Sequence, residues 1–183
     1  VSTVGPVLIV GTGLVGASLG LALRAGGVSV YLEDASPTSL RLAADVGAGR
    51  PLSDVANEAR VACADRGHNH PGYEAPRIVV VATPPDVADR VIVDALARFP
   101  RAIVTDVASV KDAIVADVLA ALDREGRGED ASRYVGCHPM AGRERSGAGA
   151  ADADLFYGRP WVIVAHGRTA PRAVLAARAL ATD

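Results

Sequence analysis

Short apolar, β-branched runs recur along the chain, and the stretches between them carry apolar residues at helical spacing. Val7 to Val10 opens the series as a buried strand, followed at once by Gly11-Thr12-Gly13-Leu14-Val15-Gly16. The Ala- and Leu-rich stretch from Ala17 to Ala25 predicts a helix that ends at Gly26-Gly27. Val28 to Leu32 predicts a second strand, closed by the acidic pair Glu33-Asp34. Ser36-Pro37 reads as an N-cap and first helical residue, with the helix running to about Val46. A further helical stretch covers Ser53 to Ala62, and Asp65 to Arg77 reads as a polar surface loop.

Arg77 to Ala82 is the plainest buried strand. Thr83-Pro84-Pro85-Asp86 predicts a cap, a proline at the first helical position and an acid three residues after the cap, opening a helix to Phe99. Ala102 to Asp106 predicts the next strand, and Ser109-Val110-Lys111-Asp112 a capping box for a helix to about Leu122. Asp123 to Ser132 reads as loop, Tyr134 to Cys137 and Trp161 to Val164 as strands, and Pro171 to Ala181 as a final helix. Strands alternate with helices through the first two thirds. That order implies a doubly wound, mostly parallel α/β sheet with helices on both faces.

The glycine run then acquires meaning. A G-x-G-x-x-G motif that follows a strand and opens a helix is a dinucleotide-binding, Rossmann-type fingerprint. Gly11 permits the tight turn, Gly13 lets a pyrophosphate approach the backbone, and Gly16 lets the helix pack on the strand, with Leu14 and Val15 completing the phosphate-facing turn. The helix N-terminus offers unpaired N–H groups to phosphate. Asp34 stands 18 residues after Gly16, placed to accept hydrogen bonds from the ribose hydroxyls and to repel a 2′-phosphate. NAD is therefore expected over NADP. Glu33 is the rival acid, because sequence does not fix the strand register.

Composition narrows the class. The 183 residues carry a net charge of -2, half of them are hydrophobic, and 22% are charged. This suits one globular domain and gives no basic field for nucleic acid. No apolar run is long enough to span a membrane. Two cysteines, Cys63 and Cys137, form no disulfide framework, and the start of the chain shows no leader pattern, so a cytoplasmic protein is expected. Of 19 basic residues, Lys111 is the only lysine, a pattern that fits coding bias. His68 and His70 lack a neighbouring ligand cluster and read as solvated loop residues, so no metal is expected. Cys63 reads as a small core residue.

Ligands in doubly wound sheets bind beyond the carboxyl ends of the strands. The candidates there are Ala82-Thr83-Pro84-Pro85, Thr105 to Lys111, and Gly136 to Glu144. His138 lies at a strand end beside glycines, and imidazole is the side chain suited to proton transfer near neutral pH. A turn histidine is the plain alternative, but the neighbouring nucleotide motif favours a functional one.

G-C-H-P-M-A-G-R-E-R-S-G from Gly136 to Gly147, followed by Asp154-Leu155-Phe156 and Trp161, resembles the prephenate/arogenate dehydrogenase family. So do T-D-V-A-S-V-K at Thr105 to Lys111 and A-T-P-P at Ala82 to Pro85. The resemblance covers essentially the whole chain. It implies NAD-dependent oxidative decarboxylation of prephenate to 4-hydroxyphenylpyruvate, or of arogenate to tyrosine, in tyrosine biosynthesis. His138 corresponds to the family's histidine that accepts the substrate hydroxyl proton, and Ser109 to the serine that orients both groups. Capping is the structural alternative for Ser109. Arg143 and Glu144 match positions lining the substrate pocket, and Ala82, Thr83 and Pro84 would pack on the nicotinamide half. Lys111 is assigned only to the helix opening.

The family continues into a mostly helical second domain that carries much of a homodimer interface and cationic groups for the substrate carboxylates. Residues 1–167 are accordingly expected to form the nucleotide-binding domain, and 168–183 a helix leading toward that second domain. A β-hydroxyacid-type dehydrogenase and a non-catalytic nucleotide-sensing module remain the alternatives. The discriminating contacts between prephenate and arogenate lie on the substrate side chain, so both stay open.

Overall fold

In a computed structural model, residues 2–58, 74–142, 144 and 146–182 are described. The strands are β1 (Val7–Val10), β2 (Val30–Glu33), β3 (Arg50–Pro51), β4 (Ile78–Val81), β5 (Ile103–Asp106), β6 (Tyr134–Pro139) and β7 (Trp161–Val164). The helices are α1 (Leu14–Ala25), α2 (Pro37–Asp45), α3 (helical over 52–58), α4 (Pro85–Arg98), α5 (Asp112–Arg124) and α6 (Pro171–Thr182). The strands form one sheet in the order β3-β2-β1-β4-β5-β6-β7. Every pairing is parallel except β6 with β7, which runs antiparallel. The expected doubly wound, mostly parallel architecture is present.

Alternation along the strands builds two cores. Leu8, Val79, Val81, Val104 and Tyr134 face one side and pack under α4 and α5. Val7, Ile9, Ile78 and Val80 face the other and meet α1 and Leu180 of α6. Farther along that second face, Val135 and Cys137 meet Ala173 and Ala177 of α6. Strands buried on both sides explain the unbroken apolar runs in the sequence. The reversal in strand order between β1 and β4 places a crevice above their carboxyl ends.

Several local expectations shift. α1 begins at Leu14, three residues before the expected start, because the glycine turn feeds directly into the helix. β2 starts at Val30, after Val28 and Ser29 have left the Gly26-Gly27 turn. Thr83 does not cap α4: Pro84 holds the cap position and Pro85 is the first helical residue. Ser109 does not cap α5 either, since that helix opens at Asp112 after Lys111 and takes no side-chain cap. His138 sits inside β6, opposite Val162, because β7 folds back and extends the pairing to Pro139. β3 and the 3-10 turn Gly128–Arg133 were not anticipated. Ser36 caps α2 as expected, accepting from the Ser39 backbone N–H at 3.2 Å. Residues 59–62 of the expected helix, Cys63, His68, His70 and most of the 65–77 loop lie outside the described residues.

Candidate functional site

The crevice is a cleft of about 910 Å³ lined by the glycine turn, the end of β2, the β4–α4 turn and one face of α4. The turn beneath it carries three glycines with different constraints. Gly11 adopts φ +96°, and a Cβ there would meet the Ala82 carbonyl oxygen at 2.6 Å. A Cβ at Gly16 would be driven into the Gly11 carbonyl oxygen and lie 3.2 Å from Ala82 Cβ. Gly13 differs: nothing stands within 4 Å of where its Cβ would be. The first two glycines are therefore demanded by the fold, and Gly13 is the one that leaves the cleft open above the backbone.

Gly13 is also the N-cap of α1, and no acidic residue occupies the first turn. The first helical N–H groups lack intrahelical partners and carry the positive end of the helix dipole. Leu14 and Val15 line the same cleft. Thr83, on the opposite wall with Ala82 and Pro84, has a buried hydroxyl oxygen without a hydrogen-bond partner among the described residues. An open glycine, uncapped N–H groups and an unsatisfied hydroxyl together fit a phosphate-bearing nucleotide.

The two candidate acids separate. Asp34 turns to the glycine motif, accepting from the Thr12 backbone N–H at 2.6 Å, the Thr12 hydroxyl at 2.7 Å and the Ser36 N–H at 2.8 Å. Glu33 is taken by Arg98, which donates to both its carboxylate oxygens at 2.7 Å. Hydrogen bonding to Glu33 holds the Arg98 guanidinium well above its ordinary range. Asp34 is thus the acid beside the glycine turn, while Glu33 ties β2 to the end of α4. The α4 face contributes Val87 and Val91 as the apolar wall.

The remaining candidates cluster at the neighbouring strand ends. β5 and β6 pair with Asp106 opposite Gly136. Ser109 lies exposed in the loop after β5, and His138 is half-buried on β6, two residues past Gly136. Glu144 is exposed in the loop after β6, and Arg143 lies outside the described residues. Cys137, the residue before His138, is fully buried, and burial pushes its thiol above its ordinary range, so it is a packing residue.

Sequence reading missed a buried polar group beneath these loops. The Asp106 carboxylate is fully buried and accepts from Lys111 Nζ, from the Tyr134 hydroxyl at 2.8 Å and from the Ala108 N–H at 2.9 Å. Burial first, then the Asp106 charge, pushes the Tyr134 phenol far up, so it stays a donor. Two signals pointed here: an acid closing an apolar strand, and the single lysine of the chain.

Among the described residues, no helix is long and apolar enough to cross a membrane. Residues 19–182 match the family model described as prephenate dehydrogenase, nucleotide-binding domain. The chain is 40% identical over 157 residues to a probable prephenate dehydrogenase, NovF, of Streptomyces niveus, covering 86% of this chain and 37% of that protein. It superimposes on prephenate dehydrogenase from Aquifex aeolicus, solved with hydroxyphenyl propionate and NAD+, with TM-score 0.75 and 25% identity. That match covers 98% of this chain and 57% of the other. Synechocystis arogenate dehydrogenase matches with TM-score 0.74 and 25% identity, over 95% of this chain and 55% of the other. The chain thus spans well under two thirds of each of these relatives. It belongs to the prephenate dehydrogenase family, whose nucleotide-binding domain it matches over nearly its full length.

Proposed function

We propose that this chain is the cofactor-binding part of an NAD-dependent enzyme that oxidatively decarboxylates prephenate to 4-hydroxyphenylpyruvate, or arogenate to tyrosine. One observation carries the reading. A glycine cradle open only at Gly13 lies at the same carboxyl end of the sheet as His138 and Ser109, and Asp34 faces that cradle. Gly11, Gly13, Leu14, Val15 and Gly16 hold the pyrophosphate, Asp34 the adenosine ribose, and Ala82, Thr83 and Pro84 the nicotinamide half. Asp34 selects NAD, because its carboxylate accepts from a free 2′-hydroxyl and repels a phosphate.

Bound NAD supplies the acceptor for the hydride that leaves the hydroxyl-bearing ring carbon. His138 accepts the proton of that hydroxyl at its imidazole, and Ser109 orients the hydroxyl toward it. The bond between the ring carbon and its carboxylate then breaks, its electron pair enters the ring, CO2 departs as the ring becomes aromatic, and the proton held by His138 returns to the resulting phenolate oxygen. Arg143 and Glu144 are assigned to substrate binding. Residues 1–167 form the body of the nucleotide-binding domain, and 168–183, whose helix α6 packs back on the sheet, carry the chain toward a second domain that supplies cationic partners for the substrate carboxylates and the homodimer contacts. Work in the cytoplasm is consistent with the free, buried thiol of Cys137.

Steady-state kinetics on the full-length gene product, with prephenate and with arogenate, test this reading. NADH formation with one or both is expected. No turnover with either would overturn the reading.

A further inference from the structure

Arginine supplies 18 of the 19 basic residues, and the one lysine is Lys111. An excess of arginine fits coding bias, but that does not account for the place of the exception. Lys111 is held against the fully buried Asp106, with its own side chain only 9% exposed. Burial alone does not demand lysine. Arg133 is just as buried and uses its fork on the Leu96, Phe99 and Ala102 carbonyls and on Asp130. The Lys111 slot has a different shape. One carboxylate oxygen is the target, and the lysine stem crosses Gly136, where even a Cβ would stand 3.1 Å from Lys111 Cδ. A compact ammonium on a flexible stem fits that passage, and a planar guanidinium does not.

The same carboxylate fixes both ends of the Ser109 loop. Asp106 takes the Ala108 N–H on one side of Ser109 and Lys111 Nζ on the other, while Val107 N–H bonds the Val81 carbonyl at 3.2 Å. On β6, the Tyr134 hydroxyl binds the second Asp106 oxygen, four residues before His138 on the same strand. We propose that Lys111, Asp106 and Tyr134 form a positioning unit that sets the Ser109 loop against the His138 strand, with Lys111 chosen because only an ammonium reaches Asp106 past Gly136. The catalytic part of this inference rests on the roles given to Ser109 and His138 above; the structural part does not.

The test has two arms. In the first, hydrogen exchange of the chain is followed by mass spectrometry for wild type, Lys111→Arg, and the double variant Asp106→Asn with Lys111→Met, which removes the pair without leaving a lone buried charge. Exchange across residues 107–111 should rise at least roughly 10-fold in both variants, with β1 and β4 as protected as in wild type. Unchanged loop exchange would overturn the proposal, and a Lys111→Arg protein identical to wild type would overturn the choice of lysine. If either variant loses protection throughout, Tyr134→Phe, which removes one donor, decides instead: it should loosen 107–111 alone. In the second arm, the full-length double variant should lose at least about 10-fold in kcat with an unchanged KM for NAD, the split expected when orientation at the reacting atoms is lost. A loosened loop with normal kcat would overturn the positioning role. A wild-type enzyme inactive on both substrates would sink the functional reading above and leave the exchange arm to judge the anchor.

Discussion

Gly13 and Gly16 lie three residues apart in one motif, yet substituting each by alanine should give opposite phenotypes. At Gly13 the backbone has φ -68° and ψ -166°, which alanine adopts freely, and the new methyl meets nothing within 4 Å. Alanine narrows the unfolded ensemble, worth about 0.4–1 kcal/mol, and is a poorer N-cap than glycine by a comparable amount. The net change should stay within about 1 kcal/mol, or about 2–4 °C in Tm for a chain of this size. The methyl projects where a pyrophosphate must approach. Loss of one charge-assisted hydrogen bond, about 1.5–3 kcal/mol, weakens NAD roughly 10- to 150-fold. At Gly16 the methyl collides with the Gly11 carbonyl oxygen and crowds Ala82 Cβ at 3.2 Å. Backbone cannot rotate aside, so α1 must lift off the sheet at the upper end of the overpacking range, about 3 kcal/mol or more. Thermal unfolding and NAD titration of both variants separate the cases. A Gly13→Ala protein that binds NAD like wild type would show that the pyrophosphate does not sit at this turn. A Gly16→Ala protein with wild-type Tm would show that the helix does not need the close approach.

Asp34→Ala should weaken NAD by about 10-fold or more and narrow its advantage over NADP, measured by titration of both at fixed salt; equal affinities in the wild type would refute the assignment. In the full-length enzyme, His138→Asn should keep NAD binding and lower turnover by roughly 100- to 10,000-fold, while Ser109→Ala costs less because it orients without transferring the proton. Near-normal turnover in His138→Asn would move the base elsewhere. Sedimentation of this chain at several concentrations should show a monomer or weak dimer, and a tight dimer would place an interface on the α/β domain itself.

Periodicity carried the central strands well because they are buried on both faces and read as unbroken apolar runs, as Val7–Val10 and Ile78–Val81 do. Helix starts were less readable. Ser109 and Thr83 have the right chemistry for caps, but α5 and α4 open later, so neither residue caps the helix that follows. The two-residue strand β3 is too short to leave a periodic signal. The choice between Glu33 and Asp34 needed tertiary structure, since it depends on Arg98 arriving from α4, 65 residues away in sequence. The Asp106 group was hidden for the same reason: its partners come from a loop and from β6, and Tyr134 by itself reads as an apolar strand residue. The antiparallel pairing of β6 with β7 likewise became visible only in the tertiary structure.

The claim that this glycine cradle and His138 serve an oxidative decarboxylation is tested most directly by stoichiometry. The full-length enzyme is supplied with NAD and prephenate or arogenate, and NADH and CO2 are counted in the same reaction. One CO2 per NADH is expected, with both lost together in His138→Asn. NADH without CO2, or CO2 released at the same rate without NAD, would contradict it.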